Sequence, residues 1–213
     1  MAKGKGAGTI LLAGALALAM ASSSEDSGSA PDPGTSQQAA TNTYAARLAA
    51  SQQAARRGDI NAMAQQLGMT AGPRGQRHNV NCAAFSTGQV RQFLLAHPCR
   101  GMDRLLFTIR DARGGTIAVA VAWVDFDKPA KANQLRRIDD EPGTGQINPL
   151  PGSTAGIPNV HLTGRHHRSR VVGATYVSAD AEPVAAGQQT DALLDDIAGV
   201  AVLLPHMYGQ IGK

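Results

Sequence analysis

The apolar positions of this chain fall into two periods. Between residues 116 and 126, Ile117, Val119, Val121 and Trp123 alternate with Ala118, Ala120 and Ala122. Both faces of that stretch are apolar, which predicts a central strand covered on both sides. Residues 105–110 predict a partner strand, and Gly114 and Gly115 between the two predict a hairpin. Leu193, Leu194, Ile197, Val200, Ala201 and Leu204 recur instead at helical spacing, from a start at Thr190 or Asp191 to a stop at Pro205. Ser86-Thr87-Gly88-Gln89 has the Ser-x-x-Gln form of a capping box, and the helix it opens carries Val90, Phe93 and Leu94 on one face before stopping at His97-Pro98. A third helix is capped by Asp127, has Pro129 in its first turn and turns Leu135 and Ile138 inward. It ends in Asp139-Asp140-Glu141, carboxylates that the helix dipole disfavours there and that are therefore expected to be exposed. Strands at 79–85, 159–163 and 171–179 complete the set. The succession strand, helix, hairpin, helix, strand, strand, helix predicts an α+β domain: an antiparallel sheet with helices on one face, as a ferredoxin-like core with an added strand and a C-terminal helix.

Upstream the pattern weakens. Residues 43–57 are rich in helix-forming Ala, Gln and Arg, with Tyr44 and Leu48 four apart, and the run breaks at Gly58. Asp59 then caps a short helix through Ile60, Met63 and Leu67 that stops at Gly68. So little apolar surface predicts a loosely packed stalk over 44–76, with a turn-rich hinge at 71–76 and the compact domain over 77–213. Arg57-Gly58-Asp59 spells an adhesion tripeptide, but its glycine and aspartate already serve as helix stop and cap. Residues 22–43 are Ser, Pro, Gly, Gln, Ala and Thr with almost no large apolar side chain, the composition of a disordered linker. The first 21 residues read as an export signal: Lys3 and Lys5, an apolar run, then Ala19-Met20-Ala21. The run is about 13 residues, roughly 20 Å of helix, short of the ~30 Å of hydrocarbon a permanent anchor must cross.

Cysteine usage agrees with an extracytoplasmic protein. Cys82 and Cys99 are the only two cysteines, and an even count in an exported chain predicts one disulfide. Residues 83–85 are expected to run back along the intervening helix as extended chain to close it. The formal charge is +4, but loss of Lys3 and Lys5 with the signal leaves 18 basic against 16 acidic residues. Arg165, Arg168 and Arg170 form the densest basic run, a candidate contact for an anion or an acidic surface. No Phe or Tyr interleaves with that run, so the stacking platform of single-strand nucleic-acid binders is missing.

Leu18-Ala19-Met20-Ala21-Ser22-Ser23-Ser24-Glu25-Asp26 resembles the start of an actinobacterial lipoprotein, with Ala21 where the lipidated cysteine would stand. The resemblance implies export on a flexible tether; with no thiol to acylate, membrane association would fall to an uncleaved signal. His97-Pro98-Cys99-Arg100, Ala122-Trp123-Val124 and Ala201-Val202-Leu203-Leu204-Pro205 are similar to stretches of small exported actinobacterial proteins. That similarity implies a secreted or cell-envelope location and transfers no active site.

Two functions from different classes follow. The first is an exported, envelope-associated binding or accessory domain without catalytic activity or cofactor, whose partner is an envelope protein or a small ligand. The second is a secreted metal-dependent hydrolase built on His161, His166 and His167, with Asp180 and Glu182 beyond the next strand. Spacing weighs against the second: adjacent His166 and His167 point opposite ways on a strand, and the flanking arginines repel a cation. Gly-x-Ser-x-Gly and phosphate-cradling motifs are missing from the sequence.

Overall fold

The computed structural model describes residues 33–158, 160–184 and 189–206. Its elements are α1 (Pro33–Arg56), α2 (Ile60–Gln66), β1 (Thr70–Asn79), α3 (Gly88–Ala96), β2 (Gly101–Arg110), β3 (Thr116–Asp125), α4 (Pro129–Asp139), β4 (His167–Val172), β5 (Thr175–Pro183) and α5 (Asp191–Ala201), with 3-10 turns at Cys82–Phe85 and Gly152–Ala155. The five strands form one antiparallel sheet in the order β1-β2-β3-β5-β4. The α+β class, the antiparallel sheet and the C-terminal helix are those the periodicities predict.

Strand alternation divides the interior in two. Leu105, Phe107, Ile109, Ile117, Val119, Val121, Trp123, Val177 and Ala179 face a core shared with α1, α2 and α5. Met102, Ala122, Val124 and Tyr176 face α3 and α4 on the opposite side. There Leu106, Ala118 and Ala120 are covered by Leu150, Ala155 and Leu162. The doubly apolar β3 is thus central, and the helices are shared between the two faces. Trp123 is buried, and its indole Nε1 donates to the Leu204 carbonyl.

Cys82 and Cys99 are joined, with Cα atoms 6.2 Å apart. The bond closes the α3 excursion at its base, and the chain re-enters the sheet beside the strand it left, Asn79 opposite Met102. This antiparallel return replaces the parallel crossover of a ferredoxin-like core and makes the first three strands a meander. The segment after Cys82 is a 3-10 turn, where extended chain was expected, with Asn81 Oδ1 accepting from Ala84 N at 3.2 Å.

Several boundaries differ from expectation, each for a local reason. The first strand is Thr70–Asn79, not 79–85, so the presumed hinge at 71–76 is sheet. Its sequence TAGPRGQRHN has no apolar alternation because it lies at an edge, where Pro73 is tolerated beside an irregular register. Residues 33–43, expected as linker, belong to α1. The 44–76 stalk is part of the fold, since Ala54, Ala55, Ile60, Met63 and Ala64 are fully buried in the first core. Small side chains there let helices approach closely without much apolar bulk. The 171–179 strand is a hairpin, β4 and β5, turned at Gly173 with φ +59°. The cap of α3 is Thr87, while Ser86 Oγ donates to the Cys82 carbonyl, and the cap of α4 is Lys128, while Asp127 pairs with Lys131 at 2.9 Å. The signal at 1–21 and the first half of the linker, residues 22–32, lie outside the described residues. Among the described residues no helix is long and apolar enough to cross a membrane.

Candidate functional site

Strand β4 sorts the basic run by alternation. His167 and Ser169 lie opposite Asp180 and Ser178 of β5 and face the α4 side; Arg168 and Arg170 lie opposite Ala179 and Val177 and face α5. His166, just before the strand, also turns to α5, where Asp195 Oδ1 is 3.0 Å from its Nδ1 and Asp191 is 3.5 Å from its Nε2. Arg168 pairs with Asp195 at 3.2 Å and Arg165 with Asp191 at 3.3 Å. The His166 hydrogen bond and the Arg168 charge hold Asp195 below the usual carboxylate range. Two of the three candidate anion contacts are therefore neutralised by α5. Arg170 alone has only carbonyls, donating to Val202 O at 2.6 Å.

The three candidate metal ligands do not converge. His166 is buried against α5, His167 is on the opposite face of the sheet, and His161 is exposed on the rim of a cleft. Among the described residues no group of three or more His, Cys, Asp or Glu could hold a metal ion.

That cleft, of about 660 Å³, lies on the α4 face. Its floor is Ser178 and Asp180, one wall is the end of α4 with residues 139–149, and the other is residues 160–164 with His167. His167 Nδ1 is 3.1 Å from Asp180 Oδ1. Its Nε2 is buried without a hydrogen-bond partner, 3.5 Å from Asp140 Oδ1 and 3.9 Å from Asp139 Oδ2. Burial would lower the pKa of this imidazole, but the Asp180 hydrogen bond and the charges of Asp180, Asp139 and Asp140 outweigh it and raise it to about 9. His167 is thus an imidazolium at neutral pH.

Asp139 is the residue that sequence reasoning misplaced. Its side chain is 3% exposed, against the expectation that the carboxylates ending α4 face solvent. The Tyr176 hydroxyl donates to its Oδ2, and the His167 cation stands near it, so burial at an unfavourable helix end is offset by specific partners. Burial raises its pKa to about 6, against the lowering effect of His167 and Tyr176. Asp140 stays at the surface: Arg136 donates to it at 3.1 Å, and Ser169 Oγ donates to its other oxygen. With Glu141 and Asp180, the cleft holds four acids against His167 and Arg136.

The 144–148 wall is zipped to the start of α3. Phe85 O accepts from Asn148 N at 2.8 Å, Gln146 O accepts from Thr87 N at 2.9 Å, and Thr144 O accepts from Gln89 N at 2.5 Å, around a bridge between Ser86 and Ile147. Two glycines permit the approach. A Cβ on Gly88 (φ +55°) would lie 2.3 Å from Thr144 O, and one on Gly145 (φ +107°) 2.2 Å from Thr87 O. Beneath the wall, buried Arg104 donates to Asn79 Oδ1 at 3.0 Å and to Asn148 O at 2.9 Å, its guanidinium 4.1 Å over the Phe85 ring. Nothing in the sequence singles out Arg104, whose partners are 25 and 44 residues away.

No family model, curated protein or solved structure matches this chain, so the geometry of the cleft carries the functional reading.

Proposed function

We propose that this is an exported, envelope-associated domain that acts by binding, and that its ligand is a small, hydrogen-bond-donating molecule, neutral or cationic, held in the cleft over β5. The observation that carries the reading is the surplus of carboxylates around one buried imidazolium in a cavity of about 660 Å³, within the size range of small-molecule sites. Carboxylates accept hydrogen bonds and attract amines and hydroxyl-rich molecules, while they repel anions. The Cys82–Cys99 bond supports an oxidising, extracytoplasmic compartment. The metal-dependent hydrolase has no such support, because its three histidines occupy three different places.

Thermal-shift and calorimetric titration with matched amines, polyols and carboxylates tests the ligand class. Amines or polyols should stabilise the protein, and Asp180→Asn and Asp140→Asn should abolish the effect. Preferential binding of carboxylates in the cleft would reject the reading. Export is tested by sequencing the N-terminus of protein recovered outside the cytoplasm, which should begin at Ser22; a chain retained inside, or starting at Met1, would contradict cleaved export.

A further inference from the structure

On the opposite face of the sheet, a second concavity of about 330 Å³ lies among the end of α1, the β4–β5 turn and residues 203–206. Its exposed apolar surface comes from Val172, a valine 51% exposed, and from half-buried Leu203 and Pro205, over a floor of buried Trp123, Val177 and Leu204. Arg56 and Arg170 both line it, and among the described residues neither forms an ion pair with a carboxylate. Arg170 donates to the carbonyls of Val202, Leu203 and Leu204, where the helix end supplies only about half a negative charge. Burial, and after it the repulsion of Arg56, lower the pKa of Arg170, so the two cations face each other uncompensated. His206, also in the lining, stacks on Trp123 with ring centroids 6.0 Å apart and is bonded to buried Asp103.

A concavity that sets two guanidiniums without carboxylate partners beside exposed apolar side chains complements a molecule with a carboxylate head and an aliphatic tail. We infer that this groove binds a medium-chain carboxylate, its head between Arg56 and Arg170 and its chain over Val172, Leu203 and Pro205, above the buried Trp123. The site is separate from the acidic cleft, which excludes anions, and stands whether or not the cleft reading does.

Trp123 is the only tryptophan, so its fluorescence reports on this groove. The full-length protein is titrated with terminally brominated decanoate, with brominated decanol as the uncharged control. Saturable quenching by the carboxylate is expected, weaker by about tenfold in Arg56→Gln, since a charge-assisted contact is worth at least that factor. It should be unchanged in Arg91→Gln, an equal loss of charge on the exposed face of α3, outside both concavities. Arg56 is exposed in the last turn of α1, so its replacement leaves the core intact. Equal quenching by the alcohol, or undiminished binding in Arg56→Gln, overturns the inference. Quenching seen only after removal of residues 207–213 assigns the groove to the chain's own end, and quenching lost as protein concentration rises assigns it to a second copy; either result also overturns it.

Discussion

Replacing His167 with glutamine should flatten the alkaline half of the stability curve. In the folded protein its pKa is raised from 6.5 to about 9, so between those values the native state keeps a proton that the unfolded chain has lost. A raised native pKa stabilises fully below about pH 6.5, and the contribution disappears as pH climbs through about 9. A difference of about 2.5 units at ~1.4 kcal/mol each amounts to about 3 kcal/mol, a large part of a typical domain's stability. His167 is 18% exposed, so solvent screening removes little of this. Asp139 acts in a lower window: its pKa is raised from 3.8 to about 6, and its ionisation in the folded state likewise removes stability as pH rises through that range. The native protein should therefore weaken in two steps on going from acid to alkali, and His167→Gln should lose the upper one. Urea unfolding followed by Trp123 fluorescence at several pH values, with the disulfide intact, measures both curves. If the native protein and the variant decline equally between about pH 6.5 and 9, the His167 cluster does not hold its proton as described.

Trp123→Ala should cost about 3 to 5 kcal/mol through lost transfer energy and the cavity left behind, and native emission should be blue-shifted and shielded from iodide. Cys82→Ser, or reduction, should cost about 3 kcal/mol for a loop of this length, and unfolded, unreduced protein should expose no thiol. Arg104→Met strips hydrogen bonds from Asn79 and the Asn148 carbonyl; a loss of about 3 kcal/mol, with faster amide exchange around residues 146–149, is the expected outcome. Unchanged exchange there would mean the wall does not depend on this cation.

Elements whose apolar positions repeat were legible in the sequence: β3, α3, α4 and α5 bury one or both faces, and burial is what periodicity reports. β1 was not, because an edge strand of Gly, Pro and Arg pairs through its backbone and leaves no side-chain pattern. The β4–β5 turn was hidden for a different reason, since one glycine in an otherwise continuous run of strand-forming residues was its only mark. In the candidate site, the opposite facing of His166 and His167 followed from alternation alone. The burial of Asp139 did not, because its partners, Tyr176 and His167, arrive from 37 and 28 residues away along a strand pairing that local sequence does not encode. Arg104 was silent for the same reason.

The zipper between residues 85–89 and 144–148 ties the wall of the cleft to the disulfide. The pairing begins three residues after Cys82, and Ser86 is itself held by the Cys82 carbonyl, so the cleft wall is anchored to a segment fixed by the bond to Cys99. Core packing of Ala83, Val90 and Leu94 on either side of residues 85–89 also holds this segment, so the disulfide is one of two anchors for the wall. Forming the bond would therefore tighten a cleft wall that the core already positions, and the gain would be felt first at residues 144–148.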